Sequence, residues 1–195
     1  MMRSNHLVVI ALAAVIALMA TACSVAESLP LPACSGGSSI LIVAQSVPTA
    51  ELLPCLGASD PTLPQLAEPG PTLPSGWESA GVTIDDNGMV VRLDSDRAGS
   101  DAAVLHFAET CEIGTSVSVP SDQEGADVLE SIEEIEPGLR ANRYYVFPGG
   151  CVWWEFDFAD NTPAALAIEL QSRLFLAPRQ FVSDAVSQDF MEVDL

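Results

Sequence analysis

The chain contains no lysine, and its 7 basic residues, all arginines, stand against 27 aspartates and glutamates. Residues 1–22 hold Arg3 and no acidic residue, so a chain beginning at Cys23 has 6 arginines against 27 acids, a formal charge of −21. Such a surface repels the phosphates of nucleic acids and of anionic lipid headgroups. The composition therefore argues against a DNA- or RNA-binding protein.

Residues that commonly serve catalysis or metal binding are scarce. After residue 22, His106 is the only histidine, and no two cysteines have the CxxC spacing of many zinc sites. No GxSxG nucleophile motif and no glycine-rich phosphate loop before a helix is present. The residues around His106 predict an ordinary strand position. We therefore expect no enzymatic activity, no cofactor and no metal, with a secreted hydrolase as an alternative.

Residues 94–105 partly resemble a calcium-binding loop. Asp94 and Asp96 occupy the first and third ligand positions, and Gly99 the sixth. Apolar residues stand at the fifth and twelfth positions, where such loops need further ligands. The pattern favours a polar loop between strands, with a calcium-binding protein as the alternative.

No apolar run reaches the length of about 20 residues that a membrane-spanning helix needs. The longest, residues 7–22, follows Arg3 and ends in small residues before Cys23, a layout typical of an export signal. Residues 20–23, Ala-Thr-Ala-Cys, resemble the lipobox of bacterial lipoproteins, with alanine where leucine is usual. We predict lipidation of Cys23. Cleavage without a lipid, giving a secreted protein, and an uncleaved anchor are the alternatives.

Four cysteines follow Cys23, and an even number in an exported chain predicts two disulfides. Three pairings are possible. We favour Cys34–Cys55 and Cys111–Cys151 because each pair lies within one compositional segment. The other two pairings stay open.

The composition divides the chain into a signal peptide (1–22), a lipidated tether (23–33), a proline-rich segment with a disulfide (34–76) and an α+β domain (77–195). In the proline-rich segment, the apolar residues 39–47 predict a buried strand, with a helical turn as the alternative. Residues 48–74 predict extended or looped chain, because proline lacks the donor that a central strand requires.

Two hairpins are predicted in the domain. Asn87-Gly88 is typical of a two-residue loop and would place Ile84 opposite Val91. Residues 143–158 predict the second hairpin, with Gly149-Gly150 as its loop and the centre of the core on one of its faces. Two further strands are predicted at residues 102–109 and 116–119.

The second face of the later hairpin carries two aromatic residues, Tyr144 and Trp153. In the predicted register Trp153 lies opposite Val146 and diagonal to Tyr144, with Glu155 beside them. We predict that Tyr144 and Trp153 form a binding surface for a sugar or a protein partner. The alternative is that a C-terminal helix covers this face and both rings belong to the core.

Helices are predicted mainly at the C-terminus. Residues 162–176 have apolar residues spaced four apart after an N-cap at Thr162, and a second helix is predicted from Pro178. Residues 121–135 favour a helix, with a strand as the alternative. The predicted fold is α+β, an antiparallel sheet of five to six strands with two C-terminal helices packed on it. A small barrel or β-sandwich with an appended helical hairpin is the alternative.

Three short segments carry a family resemblance: VPTAELLPC at residues 47–55, PSD at 120–122 and RYYVFPGGCVWWEFDF at 143–158. The chain resembles an uncharacterised group of exported proteins and lipoproteins from high-GC Gram-positive bacteria, and the resemblance implies no activity. We therefore expect a non-enzymatic lipoprotein that is anchored to the extracytoplasmic face of the cell membrane and binds an envelope protein or small ligand. A mainly structural envelope component is the alternative.

Overall fold

The computed structural model of the chain describes residues 38–57 and 73–180. In these ranges the chain forms two antiparallel sheets and two helices, which confirms the predicted combination in its coarse form. The elements are α1 (Ser38–Ser46), β1 (Leu52–Leu56), β2 (Trp77–Asp85), β3 (Gly88–Ser95), β4 (Gly99–Ala108), β5 (Val117–Val119), β6 (Asp127–Glu134), β7 (Arg140–Phe147), β8 (Gly150–Asp157), α2 (Ala165–Gln171) and β9 (Leu174–Pro178).

The larger sheet has seven strands in the order β2-β3-β4-β8-β7-β6-β5, and the smaller sheet pairs β1 with β9. After β4 the chain crosses to β5 at the far edge and returns strand by strand to β8, which pairs with β4. The predicted count of five to six strands was therefore wrong. The prediction of two C-terminal helices was also wrong, because α1 precedes all described strands and β9 replaces part of the predicted helical region.

One side of the larger sheet, the core face, is buried. Met89, Phe107, Val152 and Tyr145 are paired neighbours across β3, β4, β8 and β7, and all four are buried. The same hydrophobic cluster contains residues from both helices and from the smaller sheet, among them Val43, Leu53, Leu170 and Leu176. The helices and the smaller sheet therefore pack on the core face, and residues 43–56 share a core with residues 77–177.

The hairpin of β2 and β3 turns one residue earlier than predicted. Asp85 pairs with Gly88 and Ile84 with Met89, so the loop is Asp86-Asn87 and the predicted pairing of Ile84 with Val91 was wrong. Gly88 has φ +141°, and a Cβ there would overlap the carbonyl oxygen of Phe107 on β4. A residue with a side chain would therefore not fit at this position without a shift of β4. The partner of each residue on the opposite strand therefore changes by two positions, so each side chain stays on its predicted face of the sheet.

The predicted buried strand at residues 39–47 is instead helix α1, so the helical alternative was closer. Val43 and Val47, four residues apart, are buried, whereas Ile42 is 43% exposed. Arg179, which directly follows β9, donates hydrogen bonds to the carbonyl oxygens of Ala44 (2.9 Å) and Val47. These bonds satisfy carbonyls that a helix C-terminus leaves unpaired. A short apolar run alone does not distinguish strand from helix.

The predicted helix at residues 121–135 was also wrong, and its strand alternative is confirmed as β6. The Ser121 hydroxyl accepts a bond from the Gln123 N–H at 3.1 Å, which closes a local turn instead of capping a helix. The Gln123 side chain in turn bonds to the backbone of Leu174 and Leu176 at 3.1 Å each. Pairing of β6 with β5 and β7, together with the Gln123 bonds to β9, therefore outweighs the local helical pattern.

The predicted helix at residues 162–176 is shortened to α2, because Leu174 and Leu176 belong to β9 and pair with β1. Thr162 is not its N-cap, since its hydroxyl donates to the carbonyl oxygen of Arg97 at 3.2 Å. Pro54 lies in β1, a strand of a two-stranded sheet, as expected for extended chain outside a central position. Pro178, where a second helix was predicted to begin, is the last residue of β9. Residues 181–195, on which most of that prediction falls, lie outside the described residues.

Candidate functional site

The second side of the larger sheet, the open face, is formed by the residues that alternate with the core face. On β4, β8 and β7 it includes Val104, His106, Trp153, Glu155 and Tyr144. None of these residues belongs to the core cluster or to the side chains packed against it. Tyr144 is nevertheless buried. The alternative in which a C-terminal helix covers this face depends on residues 181–195, outside the described residues, and stays open.

The hairpin of β7 and β8 places Tyr144 directly opposite Trp153. Its turn is Pro148-Gly149 rather than the predicted Gly149-Gly150, so the predicted pairing of Trp153 with Val146 was wrong. Proline suits the first central position of a type II turn, and the second requires positive φ, which Gly149 supplies at +75°. The shift is again two positions, so the two rings stay on the predicted face but become direct neighbours.

A third ring, His106, completes what we call the aromatic row: His106, Trp153 and Tyr144. Pairing of β4 with β8 sets His106 opposite Trp153, and the two rings stack with 4.5 Å between centroids and 2° between planes. On the other side of Trp153, the Tyr144 ring centroid lies 6.4 Å away at 24°. The sequence predicted only an ordinary strand position for His106, and the pairing of β4 with β8 reveals its contact with Trp153.

The rings of the aromatic row differ in exposure. Tyr144 is 8% exposed and Trp153 is partly buried, while the His106 side chain is 20% exposed. His106 stacks on one face of the Trp153 indole and Tyr144 lies beside it. The three rings are therefore packed against one another and only partly accessible to solvent.

Negative charge borders the aromatic row. Glu155, whose side chain is 56% exposed, places Oε2 at 3.3 Å from Nε2 of His106. Burial raises the pKa of Tyr144, and the charges of Glu155 and Glu133 raise it further. Burial lowers the pKa of His106 below its ordinary value of 6.5; Glu155 opposes this shift and Arg92 adds to it. At neutral pH the rings of the row are therefore uncharged.

The lowered pKa of His106 predicts a loss of stability in mild acid. Below pH 6.5 the unfolded chain takes up a proton that the folded state resists, so the free energy of unfolding should fall as the pH drops from about 7 to about 5. His106→Gln should make this fall shallower. Urea unfolding across this range measures the effect, and NMR titration of the only imidazole of the chain from Cys23 onward measures the pKa directly. A titration midpoint above 6.5 would contradict the prediction.

The predicted disulfide between Cys111 and Cys151 is confirmed, with 5.9 Å between the Cα atoms. It ties the segment that follows β4 to the start of β8, two residues from Trp153. Cys23 and Cys34 lie outside the described residues, so lipidation of Cys23 and the Cys34–Cys55 bond stay predictions.

The loop that partly resembles a calcium-binding loop is held by contacts among its own residues. Asp94 accepts a hydrogen bond from the N–H of Asp101 at 2.7 Å, and Arg97 lies 3.7 Å from Asp96. Across residues 38–57 and 73–180, no group of three or more His, Cys, Asp or Glu side chains is arranged to hold a metal ion.

Comparisons with known proteins add no family to these observations. No family model, curated protein or solved structure matches this chain. Neither of the helices in the described ranges has the length and apolar character to cross a membrane.

Proposed function

We propose that the protein is a non-enzymatic binding module of the cell envelope, held at the extracytoplasmic face of the membrane by a lipid on Cys23. It contacts a protein or small ligand through the aromatic row. The observation that carries this proposal is the stack of His106, Trp153 and Tyr144 on a sheet face outside the hydrophobic core.

Three adjacent rings on such a face favour binding over a purely structural role. Tryptophan and tyrosine are enriched at interfaces and among the residues that carry most of the binding energy. Stacking also fixes the rings before a partner arrives, which lowers the entropic cost of association.

The contacts of His106 favour binding over catalysis as well. Its imidazole stacks on Trp153 and approaches the Glu155 carboxylate, and neither group is a nucleophile that a general base would activate. The sequence likewise has no nucleophile motif to pair with it.

The test is crosslinking and affinity capture from the native envelope with the wild-type protein and with Trp153→Ala. We expect Trp153→Ala to lose the partner while retaining its near-UV circular dichroism apart from the missing indole. Ile168→Ala is the matched control, because Ile168 is 67% exposed on α2, which packs on the core face. Capture of the same partner by wild type and Trp153→Ala would eliminate the aromatic row as the contact surface and support a structural envelope role.

Membrane attachment is tested separately. Cys23→Ala should release the protein into the soluble fraction or stall its processing, because stable anchoring requires the acyl chains that Cys23 would carry. Fractionation of cells and the mass of the mature N-terminus measure the outcome. Unchanged retention and processing would contradict the lipid anchor without bearing on the aromatic row.

A further inference from the structure

The open face carries carboxylates that lack an arginine partner among the described residues. Its two arginines are already engaged: Arg92 lies 3.9 Å from Asp101, and Arg140 lies 2.9 Å from Glu134 and 3.5 Å from Asp157. Glu155 contacts only the uncharged His106, and Glu133 and Asp127 form no ion pair in residues 73–180. The aromatic row thus lies beside carboxylates that form no ion pair with an arginine among the described residues, while the charge of Arg92 also reaches His106.

The geometry of the row restricts what it can bind. A sugar stacks on the free face of an aromatic ring, but His106 covers one face of Trp153 at 4.5 Å and Tyr144 flanks the other. Anionic ligands are repelled by Glu155 and Glu133, and by the formal charge of −20 on the whole chain. An arginine side chain suits both the rings and the carboxylates. Its alkyl stem packs on apolar ring surface, and its guanidinium pairs with a carboxylate in a bidentate manner.

We infer that the aromatic row and Glu155 bind a basic, arginine-bearing segment of a protein partner, with Glu133 and Asp127 extending the acidic border. This inference rests on the proposed function and adds the chemistry of the partner. The rings supply contact area, and Glu155 supplies the charge that selects arginine over a neutral side chain. Binding should weaken as ionic strength rises, because the acidic border is exposed to solvent.

The test uses the chain from Cys23 to Leu195 without a lipid and two synthetic probes: an arginine-rich peptide and the same peptide with citrulline at every arginine. Isothermal titration calorimetry should detect the arginine peptide and give at least about tenfold weaker binding for the citrulline peptide. Glu155→Gln should weaken the arginine peptide about fivefold, and Trp153→Ala about tenfold.

The matched control is Glu51→Gln. Glu51 is exposed and precedes β1 of the smaller sheet. The substitution therefore removes one negative charge on the core-face side. Its affinity for the arginine peptide should equal that of the wild type. Equal weakening by Glu51→Gln and Glu155→Gln would overturn the inference, because binding would then report only the net charge. Equal affinity for the arginine and citrulline peptides would overturn it as well.

Three further outcomes would overturn the inference, and the first of them leaves the proposed function standing. If envelope capture depends on Trp153 but not on Glu155, the row is a binding surface and the basic partner is wrong. If neither Trp153→Ala nor Glu155→Gln affects capture, the proposed function and the basic partner are both wrong. Self-association of the free protein that Trp153→Ala abolishes would assign the open face to a second copy of this chain and overturn the basic partner.

Discussion

Trp154→Ala is expected to lower the free energy of unfolding by about 3–5 kcal/mol, whereas Trp153→Ala at the preceding position should cost only about 1–2 kcal/mol. Trp154 is 0% exposed and stacks on Phe156 in the core, so its removal leaves a cavity. Trp153 is partly buried on the open face and loses chiefly its contacts with His106 and Tyr144.

Urea unfolding followed by far-UV circular dichroism measures both values, with an unchanged slope confirming that the two variants unfold like the wild type. The two substitutions remove the same side chain from adjacent residues of one strand, so each serves as the control for the other. Similar losses for both variants would show that the open face is packed as tightly as the core, and the proposed binding surface would then be untenable.

Removal of the Cys111–Cys151 disulfide is expected to have a comparable effect. The bond closes a segment with a sequence separation of 40, which in the chain-entropy model corresponds to about 4 kcal/mol. The double variant Cys111→Ser with Cys151→Ala should lose about this amount, and reduction of the wild type should cost at least as much, because it also breaks the predicted Cys34–Cys55 bond.

Thiol labelling supplies the control for the disulfide prediction. In the exported, denatured and unreduced protein we expect no labelled thiol among Cys34, Cys55, Cys111 and Cys151, because the compartment is oxidising and the cysteines are even in number. Two or more labelled thiols, or a reduced protein as stable as the oxidised one, would contradict the prediction. Loss of the disulfide would also disturb the aromatic row, because Cys151 and Trp153 lie on the same face of β8.

Local patterns predicted the faces of the sheet better than its pairing. In both hairpins the turn chemistry placed the loop one residue too late, and the register moved by two positions. Because side chains alternate with a period of two, Tyr144 and Trp153 still lie on the predicted face. The error mattered for the site: a diagonal pair became a direct pair, and Glu155 moved away from Tyr144 to lie opposite Asn142.

The sequence by itself determined the alternating faces of the central strands, the existence of both hairpins and the excess of negative charge, and it favoured the Cys111–Cys151 pair over the two other pairings. These features depend on residues close in the chain or on composition, so local reasoning reaches them. It also identified Tyr144 and Trp153 as the aromatic residues outside the main core stripe, because their strand positions differ from those of Tyr145 and Trp154 by one.

Only the tertiary structure decided which distant segments meet. α1 forms at residues 38–46 where Arg179 reaches its last carbonyls, β6 forms where β5 and β7 flank it, and β1 is completed by β9. His106 joins Trp153 only because β4 pairs with β8 after the intervening strands have been placed. Such contacts join residues far apart in the chain, and their free energy depends on partners that no local pattern of hydrophobicity identifies.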